Sequence, residues 1–429
     1  HYIFNFSATD SFLFFKTPLQ YSLYLFDILF LIIFSGWTTQ KIKTKPTPKT
    51  LKSNWLLFLA IYLLGNSLFL ASNLNASLYN SLRLLEILVF FSIFIDIIKT
   101  RKLFNKVLYL IFLSGVIQSI IALSQFIFQK SLNLKYLGES ILSPNILGVA
   151  KLELQSEKFI RAYGTFPHPN LLGAFLFLAL IAGLYFALNK NWKIPFSLPL
   201  IFKKFKLSPD SKLLSGQIHF GAGLLLILIG ILVTFSRSIW LTTSLFGLIL
   251  IFRFFLQKNH RINTMIKSMI LFSLILMILF FSFSKFIPTR LCLRDCQDQS
   301  LTLRQNCSQF SQSIIKNNFF FGIGPGQFIL EFKKLNPQNL PTWDLQPVHN
   351  LYLLAWSEIG LIGFVLLILF IFKNFQSIKL SRKNELFLIL TGSFLLLGFF
   401  DHYFWTLPQG QFIFWLALAL LITSGKIRK

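Results

Sequence analysis

The sequence is a succession of long apolar segments separated by polar loops. About eleven segments approach the roughly 20 apolar residues that a helix needs to cross the hydrocarbon core of a bilayer. They are residues 19–37, 55–71, 82–98, 107–128, 170–188, 218–234, 238–256, 265–286, 350–372, 386–400 and 411–423. The pattern predicts an all-α fold, a polytopic transmembrane helical bundle of about eleven spans.

Basic residues are concentrated on every second loop. Clusters of lysine and arginine follow the first, third, fifth, seventh and ninth segments and the last one. Because such clusters mark cytoplasmic loops, the N-terminus is predicted outside and the C-terminus inside. The outer loops are then residues 72–81, 129–169, the turn around Arg237, 287–349 and 401–410.

Composition agrees with a membrane protein. Hydrophobic residues make up 54% of the 429 residues and charged residues only 13%, against about 25% charged residues in soluble domains. The net charge of +26 is explained by loop lysines. Nucleic-acid binding is not expected, because no soluble module is left to carry it.

The outer segment 287–349 is too long for a plain connector, and it predicts a small, partly helical extracytoplasmic cap. We expect a helix near residues 301–315 and a turn at residues 322–326, whose glycines could alternatively bind phosphate. Cys292, Cys296 and Cys307 all lie here. They are either incidental thiols or one disulfide with one cysteine left over, and they are too few for a metal site.

Three regions are predicted along the chain. Residues 1–160 are predicted to be N-terminal transmembrane helices, and residues 161–375 a core that includes the outer loop 287–349. Residues 376–429 are predicted to be C-terminal transmembrane helices.

The candidate chemistry lies at three outer helix starts. Arg161 and His168 precede the fifth span, Arg237 the seventh and His349 the ninth. Helix N-termini carry a partial positive charge and free N–H groups that suit phosphate, and guanidinium groups reinforce such a site. The arrangement predicts an outward-facing anion site at the membrane surface.

Each of these residues also fits a simpler role. Arg237 could be an interfacial anchor that snorkels to lipid headgroups, and Arg161 an ordinary loop charge. His349 could cap its helix, and His168, between two prolines, could only shape a helix start.

Four carboxylates lie within or near the spans, where charge is costly and often functional. They are Asp27, Glu86, Asp96 and Glu358. Asp96 is expected to be interfacial. Glu358 lies about two turns below His349, where it could orient a neighbouring arginine or line a proton path.

Several motifs, in their order and spacing, resemble the O-antigen ligase and polymerase family of membrane glycosyltransferases. The resemblance covers about residues 161–363. The residues that carry it are Arg161, 163–166, Pro169 and Asn170, then 235–238, then 322–326, and finally 347–352 with 358–363.

The resemblance implies a span count, a function and residue roles. Many members have about twelve spans, so a twelfth span is expected before His1 in the full-length chain. Members of the family take a glycan from a polyprenyl diphosphate carrier on the outer side of the cytoplasmic membrane. They pass it to a lipid, a growing polysaccharide or a protein hydroxyl. By motif position Arg161 and Arg237 would bind the diphosphate and His349 would activate the acceptor. Arg304 fits a further family arginine, although Cys307 replaces an aromatic residue expected nearby.

The implied chemistry agrees with the predicted anion site. When the diphosphate departs, negative charge develops on its oxygens, and fixed cations stabilise that charge. An imidazole can accept the proton of the acceptor hydroxyl. Since no Asp-rich metal motif is visible, the transfer is predicted to need no metal or cofactor and to invert the anomeric centre. The alternatives are a polyprenyl-glycan flippase, in which Glu86 and Glu358 would matter most, and a scaffold that binds anionic lipid.

Overall fold

The computed structural model describes residues 2–5, 22–43, 54–154, 157–188, 209–256, 299–334, 345–376, 378 and 384–427. These residues form thirteen α-helices, four short strands and one 3-10 turn. The helices are α1 Leu25–Lys43, α2 Asn54–Phe69, α3 Leu74–Ile97, α4 Arg101–Phe128, α5 Pro169–Leu188, α6 Pro209–Val233, α7 Arg237–Leu256, α8 Gln299–Asn317, α9 Phe328–Lys334, α10 Leu351–Phe375, α11 Glu385–Leu397, α12 Tyr403–Thr406 and α13 Pro408–Lys426.

The helical prediction is confirmed over the described residues. Ten of the eleven predicted spans lie wholly or mostly there, and each overlaps a helix. The predicted span 265–286 lies outside the described residues. Among the described residues, five helices are long and apolar enough to cross a membrane: α3, α4, α5, α10 and α13. Shorter apolar stretches occur in α2, α6, α7 and α11. These helices indicate a multi-pass membrane protein, while the full span count, the cap and the sides stay predictions.

Two short antiparallel strand pairs accompany the helices. Strands β1 (Tyr2–Asn5) and β2 (Ser22–Tyr24) form one hairpin. Strands β3 (Lys151–Leu154) and β4 (Glu157–Ile160) form the other, with Lys151 opposite Ile160. Strands of three or four residues are too short to give a periodic hydropathy signal, so the pattern of apolar positions does not predict them.

The chain divides into two compact units, described here separately. The first unit is His1–Phe104 with Asp298–Lys429, and the second is Asn105–Gln297. The division into three sequence regions given above stays a prediction.

The second unit is built around α5, which is buried along most of its length. Small residues allow its neighbours to approach closely: a Cβ on Gly115 of α4 would lie 2.3 Å from the Cβ of Ala179 in α5. Such contacts replace the hydrophobic driving force that lipid does not supply between helices.

The core of the first unit contains α13. Leu420, Leu421 and Ile422 are fully buried, and the Trp415 ring meets Phe91 of α3 with centroids 5.2 Å apart. The helix therefore faces protein over most of its surface.

Helix α10 is broken at Gly360, where φ is 62° and ψ is −178°. The turn after α8 fills the gap like a short strand: Leu361 and Ile362 donate to the carbonyls of Phe319 and Phe320 at 2.9 and 3.1 Å. In return Ile323 and Gly324 donate to the carbonyls of Ser357 and Glu358 at 3.0 and 2.9 Å. Backbone groups freed inside a membrane helix need such partners, so the turn and the break require each other.

Candidate active site

In the second unit, Arg161 joins two helix starts. It follows β4 directly, and its side chain is 5% exposed. Nε donates to the Thr234 carbonyl and Nη2 to the Asn170 Oδ1, both at 2.7 Å. Arg161 thus ties the segment before α7 to the first turn of α5, which an ordinary surface loop charge would not do.

Arg237, the second predicted arginine, is the first residue of α7 and follows a bend with backbone strain at Phe235. Phe235 has a φ of 48°, a left-handed conformation that costs an L-residue about 1–2 kcal/mol. It is fully buried, with its ring 5.4 Å from Phe126 and 5.6 Å from Trp240. This packing holds the bend, and the bend places Arg237 at the N-terminus of α7.

The first turns of α5 and α7 are in contact. A Cβ on Gly173 of α5 would come within 2.9 Å of Cγ1 of Ile239 in α7. Two helix N-termini therefore lie side by side, with the Arg161 side chain bridging them. This is the part of the predicted anion site that the second unit brings together.

Glutamines of α4 hold the turn after Arg161. The Gln125 Oε1 accepts from the backbone N–H groups of Tyr163 and Gly164 at 3.0 and 2.8 Å, and its Nε2 donates to the Gly164 carbonyl at 2.8 Å. Nε2 also donates to Glu139 at 2.7 Å. Gln118 fixes the next residue, since its Oε1 accepts from the Thr165 N–H at 3.0 Å. The Tyr163–Gly164–Thr165 turn is therefore a rigid support for Arg161.

His168 acts locally. Its Nδ1 accepts from the Asn170 N–H at 3.2 Å, and its carbonyl accepts from Leu171 and Leu172 at 3.1 Å. These contacts agree with the interpretation that His168 shapes the start of α5.

In the first unit, His349 stands immediately before α10. The capping role belongs to Asn350, whose side chain accepts from the N–H groups of Tyr352 and Leu353 at 3.0 Å. Leu351 donates to the Gly398 carbonyl at 2.7 Å, which joins the start of α10 to the turn after α11. His349 therefore does not cap α10. It lies beside the turn that follows α11.

A second histidine and a carboxylate surround His349. The His402 ring lies edge-on to it, with centroids 5.1 Å apart, and His402 Nδ1 shares a hydrogen bond with Thr406 Oγ1 at 2.8 Å. Asp401 is buried, and its Oδ1 accepts from the His402 N–H at 2.9 Å. In the described part of the chain, the Nδ1 of His349 is buried and has no hydrogen-bond partner.

The surroundings favour neutral imidazoles. Burial lowers the pKa of His349 to about 3, and the charges of His402 and Arg304 act in the same direction. Asp401 and the backbone of Pro347 oppose them. Burial and Arg304 also lower the pKa of His402, against Asp401. Near neutral pH each ring therefore keeps a nitrogen lone pair, as a proton acceptor requires.

Arg304 lies on α8, the helix predicted near residues 301–315 and confirmed as Gln299–Asn317. Ser311 on α8 and Ser357 on α10 share a hydrogen bond of 2.8 Å, which fixes the two helices together. Cys307 is a buried free thiol whose pKa burial raises to about 11, so it is unreactive. Cys292 and Cys296 lie outside the described residues.

Glu358 is buried and faces an indole, not an arginine. Its Oε2 accepts from Trp405 Nε1 at 2.8 Å, and its Oε1 from the Phe328 N–H at 3.4 Å. The remaining acidic residues of the spans are paired: Asp27 and Glu86 with Arg83, and Asp96 with Lys41 at 2.8 Å. These pairs are salt bridges between neighbouring groups of the first unit.

One group of described side chains could hold a cation. The potential ligand atoms of His349, Asp401 and His402 lie within 4.8 Å of one another. Two imidazoles and a carboxylate are a donor set that divalent transition metals accept. The prediction of a metal-independent transfer therefore stays a prediction.

Sequence reasoning did not select Asp401 and His402. The available signal was an adjacent Asp–His pair on loop 401–410, which charge patterning places on the same predicted face as His349. Arg161 and Arg237 belong to the second unit and His349 and Arg304 to the first, so their gathering around one substrate also stays a prediction.

The fold and the loops define a multi-pass helical membrane protein with a histidine–carboxylate cluster beside a broken helix. Residues 222–368, which include Arg237, Arg304, His349 and Glu358, match the family model described as O-Antigen ligase. Over this stretch, about a third of the chain, the resemblance to the O-antigen ligase family is confirmed. No curated protein matches the chain.

Proposed function

We propose that the protein transfers a glycan from a polyprenyl diphosphate carrier to an acceptor hydroxyl on the outer face of the cytoplasmic membrane. The family match supports this class of reaction. The observation that carries the proposal is the His349 imidazole: its buried Nδ1 accepts or donates no hydrogen bond among the described residues, and one of its ring nitrogens lies within 4.8 Å of an Asp401 carboxylate oxygen.

His349 is the general base in this proposal. Its neutral imidazole takes the proton of the acceptor hydroxyl as the hydroxyl oxygen attacks the anomeric carbon. The pKa of the imidazole is low, so proton transfer occurs late, when the attacking oxygen has become acidic. The nearby Asp401 carboxylate then stabilises the imidazolium.

Arg161 and Arg237 serve the leaving group. As the new carbon–oxygen bond forms, the bond between the sugar and the phosphate breaks, and its electron pair goes to the diphosphate. Guanidinium groups and the adjacent N-termini of α5 and α7 stabilise that charge. Attack opposite the leaving group inverts the anomeric centre.

The test is transfer by the purified full chain in lipid nanodiscs. A polyprenyl diphosphate glycan is supplied with lipid, glycan and peptide acceptors, and products are identified by mass spectrometry. His349→Ala and Arg237→Ala are expected to lower kcat by at least about 100-fold. Full activity of His349→Ala would remove His349 as the base.

Arg101→Ala is the matched control for the arginine variant. Arg101 is an exposed residue at the start of α4, and its removal should leave the rate unchanged. A protein that moves the lipid-linked glycan across vesicles without joining it to any acceptor would instead be a flippase.

A further inference from the structure

Glu358 occupies the last turn of α10 before its break. Two residues later the helix stops at Gly360, and the carbonyl of Glu358 itself pairs with Gly324 at 2.9 Å. Its side chain is 4% exposed. A buried carboxylate is costly unless donors are fixed around it, so the position of its partners is informative.

Backbone N–H groups of Gly326 and Phe328 supply part of this set of donors, and the side-chain donor, Trp405, leads to the cluster of His349, Asp401 and His402. Trp405 Nε1 donates to Glu358 at 2.8 Å, and Trp405 lies on the four-residue helix α12 directly after Asp401 and His402. The next residue, Thr406, holds Nδ1 of His402 at 2.8 Å. The Trp405 ring also packs on the apolar cluster that contains Val348, the neighbour of His349.

Thr406 fixes the His402 ring from the same short helix. Its Oγ1 lies 2.8 Å from His402 Nδ1 and 3.3 Å from the His402 carbonyl, so both the ring and the backbone of His402 contact this hydroxyl. Any shift of α12 changes both the position and the hydrogen bonding of His402.

We propose that Glu358 is a positioning residue which, through the Trp405 indole, holds α12 so that Asp401 and His402 stay beside His349. This inference rests on the proposed function, in which His349 is the base. Glu358 touches neither substrate nor reacting atoms; it fixes the geometry of groups that do. The break at Gly360 and the turn that fills it keep Glu358 itself in place.

The test separates the hydrogen bond from the bulk of the side chains. Trp405→Phe removes the indole donor and keeps an aromatic ring, and Glu358→Leu removes the acceptor. Glu358→Gln keeps an oxygen that can accept from the indole. The matched control is Trp356→Phe. Trp356 lies on α10, as Glu358 does, and donates its indole N–H to the Phe319 carbonyl at 3.1 Å, away from His402.

Two readouts are measured on folded, monodisperse full-length protein. The first is kcat and KM for transfer. The second is the rate at which diethyl pyrocarbonate modifies His349 relative to His168 in the same molecules, resolved by peptide mass spectrometry. The second readout does not depend on activity.

Trp405→Phe and Glu358→Leu are expected to lower kcat about ten- to a hundredfold with little change in KM, since small displacements of catalytic groups have effects of this size. Both should raise the relative modification rate of His349 several-fold, and the double variant should be no worse than either single one. Glu358→Gln should retain most of the activity, and Trp356→Phe should match the unchanged protein.

Unchanged kcat and unchanged His349 modification in Trp405→Phe would overturn the inference. So would a loss of activity in Glu358→Leu with no change in His349 modification, because the carboxylate would then act elsewhere. If His349→Ala remains active, His349 is not the base, and the His349 modification rates in the Trp405 and Glu358 variants still show whether Glu358 positions α12. If the unchanged protein transfers no glycan to any acceptor, the proposed function fails.

Discussion

The acidity of the His349 imidazolium is set by its neighbours, and this can be read in a pH profile. Because its pKa is lowered to about 3, the ring stays neutral well below the usual histidine pKa of about 6.5. The groups that face it are His402, Asp401 and Arg304. Only the neutral ring accepts a proton, so kcat/KM should stay nearly constant between pH 6.5 and about pH 5.

Arg304→Gln tests the cause. Removal of this positive charge should raise the pKa of His349, so the fall of kcat/KM on acidification should begin at a higher pH. Lys316→Gln, an exposed change on the same helix, should leave the profile in place. An acid limb near pH 6.5 in the unchanged protein would show that His349 is an ordinary solvated histidine.

The side chains of His349, Asp401 and His402 also allow a test of whether a metal takes part in the transfer. If the base is a free imidazole, removal of divalent cations by a chelator should leave the transfer rate unchanged, as measured with the purified protein. A loss of activity that added zinc or manganese restores would show instead that His349, Asp401 and His402 work as ligands.

At the scale of the element, the break in α10 makes a specific demand on Gly360. A Cβ there would lie only 2.3 Å from the Phe320 carbonyl oxygen, and the φ is +62°. Backbone atoms cannot move aside as a flexible side chain can. Gly360→Ala should therefore lower the melting temperature and abolish transfer.

Gly392→Ala is the control for that change. Gly392 lies within α11, and a Cβ there meets nothing within 4 Å. Alanine in a helix interior is favoured over glycine by about 0.5–1 kcal/mol, so this variant should melt at the same or a higher temperature. Equal stability of the two variants would contradict the close approach at Gly360.

Elements were predictable from the sequence where the signal is local. Helices such as α5 and α8 follow from apolar runs and helical spacing within a single stretch. The break in α10 is different, because Gly360 stops a helix only when Phe319 and Phe320, about 40 residues earlier, supply replacement hydrogen bonds. Contacts of that range leave no periodic trace in the sequence.

The candidate site shows the same limit. Arg161, Arg237 and His349 stand out because a charged residue beside an apolar run is conspicuous. Asp401 and His402 do not, since their relation to His349 depends on the hydrogen bond between Leu351 and Gly398.

At the scale of the molecule, the function requires one face of the membrane to carry the outer loops. Single cysteines at Asn75 and Asn145, both exposed, introduced into a cysteine-free variant, should react with a membrane-impermeant maleimide added outside intact cells. A cysteine at Lys99 should react only after the membrane is opened. Reaction of Asn145 and Asn75 cysteines from opposite sides would exclude an active site assembled from both regions.

Helix α13 is less hydrophobic than the other membrane-length helices and is mostly buried within the protein. Its mean hydropathy of 1.2 is the lowest of the five membrane-length helices, and 72% of that stretch is buried within the protein. A segment with so small a preference for lipid gains little by partitioning alone. Its stable integration during biosynthesis therefore depends on contacts with helices that were inserted before it, such as α3. Substitutions that disrupt those earlier helices should then reduce the insertion of α13 into the bilayer.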